Sequence, residues 1–204
     1  DAFRHRWFTD GELADTVHRG LEKLAASFGE QDLVPEPEIL ARFSKLVSNV
    51  PARFNTTPET HKRWLTLSKQ IGANPLGEWG LAHSPSIRVK GIRDYAYLVI
   101  RRHGSPMHFT EVARAIGDLF GRSAHVATCH NELIKDSRFV LVGRGLYALS
   151  EWGYIGGVVR DVIKEILAKH GPLETSDIVE KVLKERYVKE NTIAVNLQNK
   201  RYFT

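Results

Sequence analysis

The feature that most constrains the fold is a repeat within the second half of the chain. Residues 93–104 begin with Arg-Asp and end with His-Gly, and residues 160–171 do the same sixty-seven positions later. The apolar positions between these anchors coincide, and each copy continues with a proline and then a hydroxyl residue followed by an acidic one. A duplicated unit of this size is typical of tandem binding modules rather than of a catalytic domain.

Charge separates the two halves of the chain. Residues 1–87 carry 10 Lys and Arg against 11 Asp and Glu, whereas residues 88–204 carry 19 against 13. A basic excess favours a polyanionic partner, because each cation that neutralises a phosphate releases counterions. The alternative is a basic surface that serves only solubility.

Composition narrows the setting in which the chain works. No apolar run approaches the roughly 20 residues of a membrane span, so we expect no membrane association. Cys129 is the only cysteine, which excludes an internal disulfide and indicates a reducing compartment, here the cytoplasm. The chain starts at Asp1 without a methionine, so we expect a piece of a longer protein.

The first part of the chain predicts a helical domain over residues 1–75 and a linker over 76–91. Asp10 and Thr57 are placed to cap helices, and apolar residues recur at helical spacing between and after them. The linker is suggested by Gly, Pro and Ser, and contains a Glu-Trp-Gly triplet at 78–80 that recurs at 151–153. We expect the helical domain to serve docking and the two tryptophans to pack between neighbouring elements.

The two repeats predict a mainly α fold with small β-hairpins, organised as two tandem winged helix-turn-helix modules. Over residues 92–150, three apolar-periodic helices precede two period-two runs that a Gly-Arg-Gly turn separates. Residues 151–204 repeat the three helices, and the chain stops where the hairpin would begin. We therefore expect the second module to be truncated before its wing.

The third helix and the hairpin resemble a known family. Residues 129–136, 139–149 and 151–154 resemble the HARE-HTH winged helix, and residues 191–200 are similar to a second copy. The resemblance covers about residues 88–204. The family occurs in the bacterial RNA polymerase delta subunit, in chromatin-associated proteins, in restriction endonucleases and, in tandem, in sigma-factor-like proteins.

The resemblance implies a DNA-binding protein of transcription, either sigma-factor-like or a regulator associated with RNA polymerase. Its partner would be double-stranded DNA, with RNA polymerase as a further candidate. The first alternative is a docking module of the transcription machinery that makes no DNA contact, and the second is the targeting region of a DNA-modifying enzyme. We expect no enzyme activity and no cofactor, because no catalytic triad, carboxylate pair or nucleophilic cysteine can be identified.

Candidate DNA-binding residues follow from the geometry of winged helices, in which the third helix enters the major groove and the wing tip reaches the backbone or minor groove. In the first module they are Arg122, Ser123, His125, Thr128, Asn131, Lys135 and, at the wing tip, Arg144. In the second module they are Lys189, Asn191, Thr192, Asn196, Asn199 and Lys200. Cations suit phosphates, and amides suit base edges.

Each of these assignments has a structural alternative. Asn191 or Thr192 could simply cap the third helix, Asn131 could bond locally, and Arg144 could be a solvated turn residue. His125 lies four residues before the cysteine at 129, but the other ligands of a zinc site are not evident. We therefore expect no metal site.

Overall fold

The structure is a computed structural model that describes residues 2–54 and 56–204. The chain divides into two parts, Asp1–Lys90 and Gly91–Thr204, which are termed unit 1 and unit 2. Within the described residues, no helix has both the length and the hydropathy that a membrane span requires.

Unit 1 contains helices and short strands. Its elements are, in chain order, α1 (Gly11–Ala26), β1 (Val34–Pro35), α2 (Glu36–Leu46), α3 (Pro58–Leu65), β2 (Ile71–Ala73) and β3 (Glu78–Leu81). The Asp10 carboxylate accepts from the backbone N–H of Leu13 (3.0 Å), and the Thr57 hydroxyl accepts from that of Thr60 (3.2 Å). The caps predicted for α1 and α3 are therefore confirmed.

The strands of unit 1 form an antiparallel sheet in the order β1-β3-β2. Trp79 in the central strand pairs with Val34 on one side and Ala73 on the other, and is only 4% exposed. The sheet and the helices share one apolar core, which includes Val17, Leu21, Leu24, Ile39, Phe43, Leu65, Ile71 and Trp79. Trp79 thus packs in the interior of unit 1.

This sheet corrects two expectations from the sequence. The domain predicted as helical over residues 1–75 contains β1 and β2, and the range 76–91 predicted as a linker contains the central strand β3. Residues 74–77 form the turn between β2 and β3, where the Asn74 side chain accepts from the N–H groups of Leu76 (2.9 Å) and Glu78 (3.0 Å). Strands of two to four residues are too short to display an alternating pattern, so the turn signals resembled a linker.

The first part of unit 2 has the elements predicted from the repeat. They are α4 (Ile92–His103), β4 (Met107–His108), α5 (Phe109–Phe120), α6 (Val126–Lys135), β5 (Phe139–Gly143) and β6 (Leu146–Leu149). The sheet order is β4-β6-β5. The order of elements and the order of strands are therefore the same as in unit 1. Trp152 lies in a half-buried helical turn after β6, so it has no structural counterpart in Trp79.

The last part of unit 2 consists of α7 (Val159–His170), α8 (Thr175–Glu185) and α9 (Glu190–Leu197). Its core is formed by buried apolar residues of all three helices, namely Val162, Ile163, Ile166, Ile178, Val182 and Ile193. Residues 198–204 form turns but no strand, and Phe203 packs against this core. The helices predicted for the second copy are present, and these last residues add no hairpin.

The connection between α8 and α9 lies against the edge of the first hairpin. Tyr187 forms a parallel bridge with Gly143, and its backbone N–H donates to the carbonyl of Val142 (2.8 Å). A Cβ at Gly143 would lie 2.9 Å from the Tyr187 carbonyl oxygen, closer than packed atoms approach. A glycine at this position therefore permits the contact.

Arg186 extends the same contact into the interior. The residue is only 3% exposed, and its guanidinium donates to the carbonyl oxygens of Leu141, Ile155 and Gly157, the last two at 2.7 Å. Burial lowers the pKa of Arg186, because a low-dielectric environment disfavours the charged form. The three accepted hydrogen bonds join β5, the segment before α7 and the end of α8.

Candidate nucleic-acid interface

α6 buries one side and presents the predicted residues on the other. Cys129 and Leu133 are buried, whereas the predicted residues of this region are all exposed: Arg122, Ser123, His125, Thr128, Asn131 and Lys135. Thr128, Asn131 and Lys135 are three and four residues apart, so they share one face of the helix. Within the described part of the chain their side chains have no hydrogen-bond or ion-pair partner, which leaves them free for a ligand.

The same face carries apolar groups, and its edge is a held cation. Val126 is 40% exposed and Ile134 is 61% exposed, so methyl groups stand beside the polar side chains. Arg122 lies before the helix, with its guanidinium carbon 5.1 Å above the centroid of the buried Tyr95 ring. This cation–π contact holds Arg122 in place while it remains exposed.

Arg144 stands at the tip of the hairpin between β5 and β6. The next residue, Gly145, has a φ of +74°, and its carbonyl accepts from the backbone N–H of Phe109 (3.0 Å) at the start of α5. A Cβ at Gly145 would clash with the His108 ring, so the turn is packed closely against this element. The structure therefore presents the exposed Arg144 side chain on a fixed turn.

The six residues predicted in the second copy lie in α9 or directly beside it: Lys189, Asn191, Thr192, Asn196, Asn199 and Lys200. α9 begins at Glu190, so Asn191 and Thr192 lie within its first turn and are exposed. Among the described residues, no side chain caps this helix. The capping role considered for Asn191 or Thr192 is therefore wrong.

Two of the predicted amides are engaged in local hydrogen bonds. Asn196 is half-buried and donates its Nδ2 to the carbonyl of Thr192 (2.7 Å). Asn199 follows the helix and accepts from the backbone N–H of Arg201 (3.2 Å). Val195, which is 57% exposed, lies on the face of Asn191 and Thr192. The α9 face therefore has fewer free amides than the sequence suggested.

Sequence reasoning missed a group of cations around Tyr202, which follows α9. The distances to the Tyr202 ring centroid are 4.6 Å from the Arg160 guanidinium carbon, 4.5 Å from Lys164 Nζ and 5.6 Å from the Arg201 guanidinium carbon. Asp161 is the nearby acid, 3.3 Å from Arg160. These three cations and the ring are termed the Tyr202 cluster.

The corresponding position of the first copy has the reverse chemistry. There Arg138 lies over the Tyr97 ring at 5.3 Å and forms ion pairs with Asp94 (2.8 Å) and Asp136 (2.7 Å). In the aligned repeats Tyr202 takes the place of Arg138, and a lysine takes the place of Tyr97. The cation and the ring have exchanged places, and alignment of the two copies could have revealed the site.

Cys129 is fully buried, and its thiol is not placed for nucleophilic chemistry. Burial raises the pKa of Cys129 to about 11, so the reactive thiolate is scarce at neutral pH. In the described residues, no group of three or more His, Cys, Asp or Glu side chains could hold a metal ion.

The burial of Cys129 predicts slow modification by a thiol reagent. We expect the native protein to react with a disulfide reagent at least tenfold more slowly than the protein unfolded in urea, because the thiol must be exposed first. The measurement is the rate of thiol release at pH 8 with and without denaturant. Equal rates in the two conditions would contradict the burial of this side chain.

A family model agrees with the geometry of the first part of unit 2. The model is that of the HARE-HTH domain, a helix-turn-helix domain whose description names ASXL and restriction endonuclease, and it matches residues 92–152. This segment is a HARE-HTH domain. The resemblance read from the α6 and hairpin sequences is confirmed for these residues. The match does not extend over α7–α9.

HARE-HTH domains are winged-helix DNA-binding domains, so the match supports a DNA-binding role for residues 92–152. The domain ends at the helical turn that follows β6, and it contains α6, the hairpin and Arg144. No curated protein and no solved structure is significantly similar to the chain.

Proposed function

We propose that this protein binds double-stranded DNA through its HARE-HTH domain and through α7–α9, which act as a second helix-turn-helix without a wing. The observation that carries the proposal is the exposed face of α6, in a domain whose family binds DNA. Asn131 and Thr128 are suited to base edges, and Ile134 to a thymine methyl group.

Phosphate contacts come from the edges of this surface. Arg122 is held over an aromatic ring beside α6, Lys135 lies at the end of that helix, and Arg144 occupies the wing tip. In the second module, Lys189 and Lys200 flank α9, and the Tyr202 cluster adds cations that sequence reasoning did not assign. Because the two modules are joined through Arg186, they would meet DNA together.

We place this activity in transcription, as a sigma-factor-like protein or a regulator associated with RNA polymerase in the cytoplasm. This role rests on the tandem arrangement that the sequence resembles, and no enzymatic step is assigned to it. A second candidate is docking on a transcription protein without DNA contact. The exposed apolar side chains of Ile134 and Leu141, 61% and 48% exposed, favour that alternative.

The test of DNA binding is a charge variant of the HARE-HTH domain in the full chain. Arg122→Gln, Lys135→Gln and Arg144→Gln together are expected to flatten the plot of log binding constant against log salt by about 3, because each phosphate contact contributes roughly 0.9. Fluorescence anisotropy with a 30-base-pair duplex of mixed sequence measures the slope. Glutamine keeps the length of the side chains and removes their charge.

The matched control removes three exposed cations elsewhere in unit 2, Arg102, Lys169 and Lys184, in the same way. We expect its slope to stay within about 1 of the unmodified protein. If the unmodified protein does not bind the duplex at low salt, DNA binding is excluded and docking becomes the better proposal. Equal effects of the two variants would overturn the assigned surface.

A further inference from the structure

We propose that unit 1 is a further winged helix, and that it binds duplex DNA through α3 and the loop formed by residues 4–7. The family model does not reach this unit, and the sequence predicted only helices there. The inference relies on the proposed function in taking DNA as the ligand. It concerns a different surface, so the two can fail separately.

The topology of unit 1 carries the first step. Helix, strand, two helices and two strands follow one another in the same order as in the HARE-HTH domain. In each sheet the last strand is central, with the order β1-β3-β2 in unit 1 and β4-β6-β5 in unit 2. α3 therefore occupies the position of α6, the helix that a winged helix presents to the major groove.

Loop 4–7 is anchored at both ends and exposed between them. Before it, the Phe3 ring stacks on the His18 ring at 4.2 Å, and after it the Phe8 ring contacts the edge of the same His18 at 5.6 Å. Between these anchors the four side chains of the loop are exposed, and Trp7 is fully so. The loop is thus presented on a fixed base.

Backbone hydrogen bonds place this loop beside the end of α3. The N–H of Arg4 donates to the carbonyl of Leu67 (2.8 Å), and the N–H of Lys69 donates to that of Ala2 (2.9 Å). Residues 67–69 follow α3 after one intervening residue. Arg4 and its neighbours are therefore held next to the helix that occupies the recognition position.

Charge distinguishes this side of unit 1 from the rest. Residues 2–9 and 57–77 carry five Lys and Arg against one acidic residue, whereas residues 10–54 and 78–90 carry seven against nine. Lys62 pairs with Glu36 at 2.7 Å, but Arg4, Arg6 and Arg63 are exposed and have no ion pair among the described residues. These three arginines are the cations available for phosphate.

The hairpin turn of unit 1 explains why such a loop is needed. Its residues 74–77 carry no cation, and the Asn74 side chain is occupied by hydrogen bonds within the turn. The wing of the HARE-HTH domain instead presents Arg144. Loop 4–7 supplies the missing charge from another direction, and its exposed Trp7 is suited to pack in a groove, as apolar side chains of minor-groove binders do.

The test uses the full chain with Arg4→Gln, Arg6→Gln and Arg63→Gln together. We expect the binding constant for the 30-base-pair duplex to fall about tenfold at moderate salt, and the salt slope to flatten by about 3. The control changes Arg19, Lys23 and Lys45, exposed cations of α1 and α2, to glutamine. Its slope is expected to change by less than about 1.

Trp7→Ala and Trp7→Phe separate the aromatic contact from charge. We expect the alanine variant to bind several-fold more weakly without a change in salt slope, and phenylalanine to restore most of the affinity. If the arginine variant behaves as its control while the HARE-HTH variant weakens, this inference is overturned and the proposed function stands. If only the unit 1 variant weakens binding, unit 1 is the DNA-binding part and the α6 surface is excluded.

Discussion

Replacement of Arg186 by methionine is expected to lower the free energy of unfolding of unit 2 by about 3 kcal/mol or more. The variant leaves the carbonyl groups of Leu141, Ile155 and Gly157 without their donor, and each unpaired buried group costs about 1 kcal/mol or more. Methionine retains the apolar stem, so the loss reports the hydrogen bonds rather than a cavity. Urea unfolding monitored by circular dichroism measures the change.

Hydrogen exchange locates the effect of Arg186→Met within the unit. The Tyr187 amide, which is bonded to the Val142 carbonyl, should exchange faster together with the amides of α9, while those of α4 change little. Lys184→Met, an exposed position of α8, is the control and should alter stability by less than about 0.5 kcal/mol. Protection of Tyr187 that is unchanged in Arg186→Met would contradict the role assigned to this side chain.

Replacement of Arg138 by methionine is expected to destabilise the HARE-HTH domain by about 3 kcal/mol at neutral pH. Asp94 is only 5% exposed, and loss of Arg138 leaves its carboxylate with less compensation for burial. The comparison is Arg114→Met, because Arg114 lies 3.7 Å from Asp118 and both side chains are largely exposed. That change should cost less than about 0.5 kcal/mol.

The Arg138 contribution should depend on pH. Burial alone would raise the pKa of Asp136, but hydrogen bonds from the side chain and backbone of Arg138 outweigh it, so the pKa lies below its usual value. A depressed carboxyl pKa adds stability above the pKa of the unfolded chain, and this stability is lost as pH falls through the folded value. The difference between the unmodified protein and Arg138→Met should therefore shrink from pH 7 to pH 3. A constant difference would show that Asp136 does not contribute.

The elements that the sequence predicted best are those encoded by local patterns. The caps at Asp10 and Thr57 are formed as expected, and α4 ends at Gly104 with a φ of +77°. Helical spacing and the Gly-Arg-Gly turn located the helices and hairpin of the HARE-HTH domain. Each of these signals lies within a few residues of the structure that it specifies, so no knowledge of packing was needed.

The sheet of unit 1 escaped the same reasoning because its signals are too short. β1 has two residues and β2 has three, and the Asn-Pro-Leu-Gly turn before β3 resembles a linker when its partner strand is unknown. The recurring Glu-Trp-Gly triplet also misled, because Trp79 is in a central strand and Trp152 in a helical turn. Similar letters occupied different structural positions.

The sequence by itself determined the repeat, the boundaries of most helices, the basic excess of residues 88–204 and the exposed cation at the wing tip. The tertiary structure decided which distant residues meet: Arg186 with carbonyl groups about 30 to 45 positions away, three cations with Tyr202, and loop 4–7 with the end of α3. The physical reason is that capping, periodicity and turn preference are local. Burial of Arg186, and the shared topology of the two units, depend on how complete elements pack against one another.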